Sequence, residues 1–229
     1  MTNNISFAKP ALGTVLAAIV RGESITRATQ DAILKGIFLQ GDVVDLGARD
    51  ATSTYYRFID ISRARMTYCD IESTNPAVIK VDLEAPLPFQ DHQFDTVLLM
   101  HVLEHIYNTK SLLAEMRRIS RGDAVIAVPF LIAFHPDPRD YFRFTHMALE
   151  RLLSEAGFAA VKIVPWGHGL FTASLYLSER FFKPRIIVAL LYCITRGLDW
   201  LAAKIFSRRL AHQGDLGYIC VARCSKDKA

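Results

Sequence analysis

The stretch from Val43 to His105 constrains the fold of this chain most, because short apolar runs alternate there with acidic residues. Three of these runs each lead directly to an aspartate: Asp45, Asp70 and Asp82. Apolar runs of this length, bounded by polar residues, predict buried strands. Carboxylates at the carboxyl ends of parallel strands face the ligand crevice of an open α/β sheet. Three in succession suit a ligand with an amine and a ribose diol, so the pattern predicts a site for a nucleoside-type cofactor.

Strand-like and helix-like segments alternate along most of the chain. The predicted strands are residues 42–46, 64–69, 77–81, 96–100, 124–128, 158–164 and 218–224. The predicted helices are residues 25–39, 52–59, 111–119 and 146–156, the last closed by a glycine at position 157. Such alternation predicts βαβ units and a mainly parallel sheet. At 229 residues, the chain fits one α/β domain with appended helices.

The order and spacing of several short motifs resemble a known family. The motifs are Asp45-Leu46-Gly47-Ala48, Asp70, Val81-Asp82-Leu83, Leu87-Pro88-Phe89, Phe94-Asp95, Leu103-Glu104-His105, Val128-Pro129-Phe130 and the segment from His135 to Thr145. Together they resemble the class I S-adenosylmethionine-dependent methyltransferases of the small methyltransferase-domain type, over residues 41–158. The resemblance implies a doubly wound, Rossmann-like α/β fold whose seven-stranded sheet is mostly parallel, with an antiparallel final strand at residues 218–224. It also implies S-adenosyl-L-methionine as the cofactor.

The resemblance assigns the methionyl and ribose parts of that cofactor to residues after the first two strands. Asp45 would contact the methionyl amino group. The tight turn at Gly47 would lead into a helix whose free N–H groups hold the methionyl carboxylate. Asp70 would accept the hydrogens of both ribose hydroxyls, with Glu72 as the alternative ligand.

Further residues complete the expected cofactor site. Asp82 would accept from the adenine amine while the backbone at Leu83 serves the ring nitrogen, and the alternative for Asp82 is a turn cap. Met100 and His101 would line the crevice after the fourth strand. One departure from the family pattern is the turn Ala48-Arg49-Asp50, which stands where further glycines are usual. Its arginine is a candidate to help hold the methionyl carboxylate.

The motif His101-Val102-Leu103-Glu104-His105 also fits the H-x-x-E-H pattern of inverted zinc peptidases. That interpretation needs both histidines on one helix face and a further glutamate ligand downstream. The motif instead follows a predicted strand directly, within the cofactor-site series. We therefore expect no metal in the site.

The segment 129–145 follows the fifth predicted strand and therefore borders the same crevice. Pro136 and Pro138 stiffen it. We predict His135 as the general base, with His101 as the second catalytic candidate. The predicted substrate-binding residues are Arg139, Tyr141 and Arg143. The alternative for Arg143 is a structural ion pair with Asp140.

Composition and charge limit the partners of the chain. A net charge of +4 without a concentrated basic stripe does not predict nucleic-acid binding. The four cysteines lie mostly in apolar runs, which favours buried free thiols in a reducing, cytoplasmic compartment. The apolar run at residues 11–20 lacks a charged leader and predicts an amphipathic helix rather than a secretory signal. No uncharged apolar run reaches about 18 residues, so no membrane-spanning helix is expected.

Residues 179–210 have the least typical composition, because apolar runs alternate there with lysines and arginines. This composition suits an interfacial helix on an anionic membrane at its inner face, a helical lid or a homodimer face, and the sequence leaves these alternatives open. The predicted plan is a single methyltransferase domain. Its parts are residues 1–40 as a helical cap, 41–165 as the cofactor-binding core, 166–214 as a helical insert and 215–229 as the final strand and tail.

The expected function is methyl transfer from S-adenosylmethionine. A positioned histidine suits a hydroxyl acceptor, which must lose a proton, so O-methylation is favoured over N- or C-methylation. From the resemblance, the leading acceptor is a bacterial sugar or cell-envelope glycan intermediate, followed by a small metabolite. One rival is a catalytically silent methyltransferase-like partner subunit, which the altered turn at residues 48–50 favours. The other is a nucleotide-cofactor oxidoreductase, which calls for a fuller G-x-G-x-x-G motif than this chain carries.

Overall fold

Seven strands form one sheet at the centre of the part of the chain that the structure describes. The computed structural model describes residues 5–206 and 214–224. The strands are β1 (Phe38–Leu46), β2 (Asp60–Asp70), β3 (Val78–Lys80), β4 (Phe94–Met100), β5 (Ser120–Pro129), β6 (Phe158–Trp166) and β7 (Gly217–Cys224). Their order is β3-β2-β1-β4-β5-β7-β6. The strand β7 runs antiparallel to the other six strands, which are parallel to one another. The predicted doubly wound, mostly parallel sheet with an antiparallel final strand is confirmed.

Helices cover both faces of the sheet. They are α1 (Leu12–Val20), α2 (Ile25–Leu34), α3 (Thr109–Ile119), α4 (His146–Glu155), α5 (Leu170–Ser178) and α6 (Arg185–Ile205). One buried cluster joins α1, α2, α5 and α6 to one face of the sheet, and a second joins α3 and α4 to the other. Successive residues of β1 and β4 point into opposite clusters, as Val43 and Val44 do. This two-sided burial explains why the central strands are apolar at nearly every position.

Side-chain caps set the starts of two helices. The Ser24 hydroxyl accepts from the Arg27 amide at 3.3 Å and begins α2. The Thr145 hydroxyl accepts from the Ala148 amide at 3.2 Å and begins α4. These contacts satisfy amide donors that the helix itself leaves unpaired. Gly157 follows α4 with φ of +94°, as the predicted helix end requires.

The predicted helix over residues 25–39 is too long. The helix α2 ends at Leu34, and β1 begins at Phe38. Gly36 lies between them, and a Cβ atom there would stand 2.4 Å from the Ala8 amide nitrogen, so the chain passes close to another backbone segment. Pairing of Phe38 with Asp60 of β2 then extends the strand. Sheet pairing overrides the helical spacing of the apolar residues here.

The predicted helix over residues 52–59 is also wrong. The segment forms only a four-residue 3₁₀ helix, Thr54–Arg57. Arg49 and Ala51 before it adopt positive φ values of 53° and 61°. Threonine, serine and tyrosine are only moderate helix formers, and the tyrosine hydroxyls have another partner here. So short a helix presents no row of free amides to a carboxylate, and that part of the expected cofactor site is absent from the described residues.

The predictions for the N-terminal helix, the cysteines and the helical insert are confirmed in part. The helix predicted within residues 11–20 forms α1. Three cysteines are buried free thiols, whereas Cys193 on α6 is exposed. The helices α5 and α6 lie between β6 and β7, where the helical insert is predicted. Residues 207–213 of that insert lie outside the described residues.

The strand order reverses at β1 and β4, whose carboxyl ends lie side by side. From β1 the chain continues outward to β2 and β3 on one side of the sheet, and from β4 it continues to β5 on the other side. In an open α/β sheet, the crevice at such a reversal is where ligands bind. The segments after Leu46 and Met100 therefore form the walls of the candidate site.

Candidate active site

Asp45 lies near the end of β1 and is completely buried. Its Oδ2 atom accepts hydrogen bonds from the hydroxyls of Tyr55, at 2.5 Å, and Tyr56. Burial raises the pKa of Asp45 to about 6, although the two tyrosine hydrogen bonds oppose the shift. Burial and the neighbouring carboxylate also raise the pKa of both tyrosines, so the phenols stay protonated donors.

The second oxygen of this carboxylate, Oδ1, is buried and accepts no hydrogen bond from the described residues. Buried acceptors without a partner are rare in proteins. An ammonium group delivered to the crevice would satisfy this atom, as the assignment of Asp45 to the methionyl amino group requires. The carboxylate at β1 therefore fits the cofactor.

Gly47 shapes the turn after β1. Its φ is +94°, and a Cβ atom would stand 2.3 Å from Cγ2 of Val102, so only glycine fits. The amides of Gly47 and Ala48 both donate to the Cys69 carbonyl, at 2.8 and 2.9 Å. The glycine thus brings the turn against β2 and against the segment after β4, and its N–H is already bonded.

Arg49 crosses the mouth of the crevice rather than entering it. Its guanidinium contacts the Asp137 carboxylate at 2.5 Å, and both side chains are largely exposed. An exposed pair of this kind contributes little to stability. It nevertheless connects the turn after β1 to the loop after β5, so an incoming carboxylate group would compete with Asp137 for this arginine.

Asp70 ends β2 one residue beyond the last β1–β2 pair, which joins Leu46 to Cys69. Its two oxygens accept from the Arg49 amide at 2.7 Å and the Glu72 amide at 3.0 Å. Each oxygen retains a lone pair, since a carboxylate can accept about four hydrogen bonds. Asp70 therefore organises the turn and still has capacity for a diol. Glu72 itself is exposed.

The third carboxylate occupies a similar turn after β3. The Oδ1 atom of Asp82 accepts from the Glu84 amide at 2.9 Å, which is the turn cap named as its alternative role. Leu83 is buried beside it, and Met100 is buried at the end of β4. The Val81 amide donates to the Asp70 carbonyl at 3.0 Å, so the second and third carboxylates belong to adjoining turns. The predicted adenine contacts stay predictions.

His101 turns away from the rest of its motif. It has φ of +58°, its Nε2 atom accepts from the Gln30 side chain at 2.6 Å, and its ring meets Trp166 edge-on at 5.9 Å. Burial, and then the charge of Arg27, lower the pKa of His101 to about 3. An occupied nitrogen with so low a pKa is a weak proton acceptor, which leaves His135 as the stronger candidate base.

The zinc-peptidase interpretation lacks its geometry. His101 and His105 do not share a helix, because only the three-residue 3₁₀ helix Leu103–His105 forms after β4. A different trio does converge: the ligand-type atoms of Glu104, His105 and His135 all lie within 4.8 Å of one another. The positive Arg143 side chain acts electrostatically on Glu104 and opposes a second cation there. The expectation of no metal stays our prediction.

Glu104 is the most unusual side chain of this trio. It is completely buried, and neither carboxylate oxygen has a hydrogen-bond partner among the described residues. Its Oε1 atom lies 3.9 Å from Nε2 of His105. Burial raises the pKa of Glu104 to about 8, because an unsatisfied charge is costly away from water. Glu104 is therefore a neutral acid at the edge of the crevice near neutral pH.

His135 lies on the loop after β5, close to Glu104 and His105. Its Nδ1 atom is 3.1 Å from the Ala133 carbonyl and 3.4 Å from Oδ2 of Asp140. A carbonyl can only accept, so the neutral ring carries its proton on Nδ1 and offers the Nε2 lone pair. The Asp140 carboxylate would stabilise the imidazolium formed when Nε2 takes a proton. The arrangement is that of a base oriented by an acid.

Arg143 holds this dyad in place. Its guanidinium contacts both oxygens of Asp140, at 2.5 and 2.7 Å, and keeps the pKa of Asp140 well below its usual range. Asp140 also accepts from the His135 amide at 3.0 Å. The structural pair named as the alternative for Arg143 is therefore formed. Arg139 and Tyr141 are exposed and bond to each other at 3.1 Å, where an acceptor could reach them.

Sequence reasoning missed several residues of the site. Tyr55 and Tyr56 had a signal, since two adjacent aromatics stand in a poor helix former ten residues after Asp45. Glu104 had no signal for its burial, because it stands between Leu103 and His105 in a motif that fits several roles. Gln30 had none, because it reaches His101 from a helix 71 positions earlier in the chain.

Comparisons with known proteins agree with this geometry. Residues 47–128 match the family model described as a methyltransferase domain. No curated protein sequence matches the chain.

Solved structures share the fold. An S-adenosylmethionine-dependent methyltransferase from Archaeoglobus fulgidus is 19% identical with a TM-score of 0.53, over 93% of this chain and 94% of that one. A putative methyltransferase complexed with the Trm112 activator of Haloferax volcanii is 15% identical with a TM-score of 0.53, over 82% and 84%. A phospholethanolamine N-methyltransferase 2 of Haemonchus contortus, complexed with phosphomonomethylethanolamine and S-adenosylhomocysteine, is 13% identical with a TM-score of 0.51, over 93% and 57%.

The matched segment begins at the turn glycine and ends within β5, so it contains β2, β3, β4 and the turns that carry the second and third carboxylates. The match shows that residues 47–128 belong to a methyltransferase domain, and the strand order and the carboxylates at the strand ends are those of the class I S-adenosylmethionine-dependent fold.

Proposed function

We propose that the protein transfers a methyl group to a hydroxyl of a small-molecule or glycan acceptor. The observation that carries this proposal is the His135–Asp140 dyad, which lies on the loop after β5. S-adenosylmethionine, when bound, supplies the methyl group on its sulfonium. The chain's own contribution is to hold the two reactants together and to remove the acceptor proton.

The cofactor half of the crevice is formed by the turns after β1, β2 and β3. The free Oδ1 atom of Asp45 suits the methionyl ammonium, and Asp70 suits the ribose diol. Because a bound ammonium favours the ionised form of Asp45, cofactor binding should release a proton from that buried carboxyl.

The acceptor half is formed by the segments after β4 and β5. An acceptor hydroxyl near Nε2 of His135 would pass its proton to that nitrogen as its oxygen bonds the methyl carbon, and the methyl–sulfur bond would break with S-adenosylhomocysteine as the leaving group. The carboxylate of Asp140 offsets the charge that the ring gains. An amine or carbon acceptor would have less need of this dyad, which is why we favour an oxygen acceptor.

The acceptor class rests on the side chains of the loop after β5 and on the family resemblance. Exposed Arg139 and Tyr141 offer donors suited to the hydroxyl and anionic groups of sugars. A cell-envelope glycan intermediate is our leading proposal from the family resemblance, and a small metabolite is the second. Either acceptor would be met in the cytoplasm, which is the location we propose. Fold similarity does not select between them.

The cofactor can be tested by titration calorimetry with S-adenosylmethionine and with NAD. We expect binding of the first alone. Binding of NAD alone would support the oxidoreductase, and binding of neither would support the silent partner subunit. Release of S-adenosylhomocysteine in a screen of hydroxylated acceptors, sugars first, would then identify the acceptor class.

Asp70→Ala should weaken S-adenosylmethionine binding by about 10- to 150-fold, or about 1.5–3 kcal/mol, because two charge-assisted hydrogen bonds to the ribose are lost. Calorimetry measures the affinity, and a thermal melt reports how much the lost Arg49 contact affects the fold. Glu72→Ala is the matched control and should bind normally. The opposite ranking of the two variants would move the ribose role to Glu72.

A further inference from the structure

The helices α5 and α6 expose an unusual amount of apolar surface. Of the 21 large apolar side chains exposed in the described residues, 13 lie between Leu170 and Phe206. Several are more than half exposed, among them Phe181, Leu190, Ile194 and Trp200. Monomeric soluble proteins rarely leave so extended an apolar surface in water. We call this surface the α5–α6 face.

The opposite side of α6 is fixed to the domain. Asp199 accepts from the Phe171 and Thr172 amides at 2.9 and 3.0 Å and from the Thr172 hydroxyl at 2.7 Å, so it caps the first turn of α5. Arg185, at the other end of α6, donates to the Ile19 carbonyl at 3.3 Å and to Glu179 at 3.2 Å. These contacts hold α6 in one orientation, in which Val188 and Tyr192 are buried and Leu190, Ile194 and Trp200 are exposed.

The contacts of Asp199 and Arg185 favour an α6 that lies on a membrane over an α6 that crosses one. With 21 residues, α6 is long and apolar enough to span a bilayer, which the sequence did not lead us to expect. Spanning would carry Asp199 and Arg196 into hydrocarbon and would break the cap on α5. Charged groups at that depth are expensive. An orientation in the plane of the interface keeps every one of these contacts.

The charges around the α5–α6 face have one sign. From Arg180 to Phe206 the chain carries five basic residues and one acid, Asp199, which is buried. Arg180, Lys183 and Lys204 are exposed, and the Lys204 ammonium lies 4.0 Å from the centre of the Trp200 ring. A tryptophan beside a lysine suits the boundary between lipid headgroups and hydrocarbon. This combination is complementary to an anionic lipid surface.

We propose that the α5–α6 face docks onto an anionic lipid bilayer, with α6 lying in the plane of the membrane interface. A second copy of the chain is a poorer occupant. A two-fold dimer through this face would bring its basic rim close to itself, and no exposed acid of the face would neutralise it. A lid would require α6 to leave the contacts of Asp199 and Arg185.

Docking would also bring the crevice close to the lipid. The helix α5 begins four residues after Trp166, whose ring contacts His101, the residue that follows β4. An acceptor carried on a lipid would then reach the site without leaving the membrane. This consequence rests on the proposed function, whereas docking itself does not.

Co-sedimentation of the full chain with lipid vesicles tests the docking without any methyl transfer. The vesicles are phosphatidylcholine alone, or phosphatidylcholine with about one third phosphatidylglycerol. We expect binding to the anionic vesicles at about 0.05 M NaCl and a marked loss at about 0.5 M, because salt screens the basic rim.

Two sets of variants separate the contributions. Leu190→Glu with Ile194→Glu should lower partitioning about tenfold or more, because two apolar side chains no longer enter the interface. Arg180→Gln with Lys183→Gln should lower it about fivefold for each charge, on anionic vesicles only. Met147→Glu, at an equally exposed apolar position on α4, is the matched control and should bind as the wild type does. Calorimetry with S-adenosylmethionine checks that each variant is folded.

Three results would overturn the proposal. The first is recovery of the wild type in the supernatant with anionic vesicles at low salt. The second is a dimer in light scattering that the Leu190 and Ile194 variant dissociates, without vesicle binding, which would assign the face to a second copy. The third is vesicle binding that falls no more in that variant than in Met147→Glu. Normal cofactor binding in any of these cases would leave the proposed function standing.

Discussion

Replacing His135 by alanine should lower turnover by about 10²–10⁴-fold, the usual contribution of general-base catalysis. The ring nitrogen Nε2 is the acceptor for the substrate proton, because Nδ1 faces the Ala133 carbonyl and the Asp140 carboxylate. Affinity for S-adenosylmethionine should hardly change, because His135 stands on the acceptor side of the crevice. Single-turnover kinetics and calorimetry measure the two quantities separately.

Two companion variants sharpen the test. Asp140→Asn keeps the shape of the side chain but removes the charge that stabilises the imidazolium, so it should slow turnover by less than His135→Ala. His92→Ala is the matched control, since His92 lies before the amino end of β4, away from the carboxyl ends that form the crevice, and its Nδ1 atom is 3.2 Å from the Ser120 carbonyl. We expect wild-type turnover from it.

The alternative outcomes are equally definite. Full activity of His135→Ala combined with loss in His101→Ala would place the base after β4, despite the Gln30 contact and the low pKa of His101. Full activity of both would mean that acceptor positioning alone carries the rate, as it can for an acceptor that is already ionised. Loss of cofactor binding in His135→Ala would contradict its assignment to the acceptor side.

The sheet was predictable because its information is local. Each buried strand is a short apolar run bounded by turn residues, and Asp45, Asp70 and Asp82 follow three of these strands in order. Where pairing with a neighbouring strand determines the structure, the spacing of apolar residues along the chain gives a wrong prediction. Residues 35–39 continue the apolar period of α2, yet their pairing with β2 turns Phe38 and Leu39 into a strand.

The site was predictable only in outline. Sequence motifs indicate which residues border the crevice, but not where each side chain points. His101 and His105 belong to one motif, and a positive φ at His101 sends its ring to Gln30 instead. Likewise, the tyrosines that hold Asp45 belong to a segment whose helical prediction fails. Glu104 is completely buried by tertiary packing, which no local sequence pattern predicts.

That burial makes Glu104→Gln a strong test of the site's electrostatics. Above about pH 4.5 the unfolded chain releases the Glu104 proton, whereas the folded protein, with a pKa of about 8, retains it. The free energy of unfolding should therefore fall as the pH rises from about 4.5 to about 8, since the folded state binds more protons. Glutamine keeps the shape and cannot ionise. The variant should be more stable than the wild type at pH 8, by on the order of a few kcal/mol, and similar to it near pH 4.5.

Urea unfolding at several pH values measures the difference between the two proteins. Burial also raises the pKa of Asp31 to about 7 and of Asp45 to about 6. Because of these two groups, the wild type and Glu104→Gln should both lose stability as the pH rises. The difference between them isolates Glu104, and Glu150→Gln at an exposed position of α4 serves as the control. Parallel curves for wild type and Glu104→Gln would mean that Glu104 gives up its proton as readily folded as unfolded. A variant less stable than the wild type near neutral pH would instead reveal an ionised Glu104 paired with His105, 3.9 Å away, and the crevice would then hold a buried ion pair rather than a neutral acid.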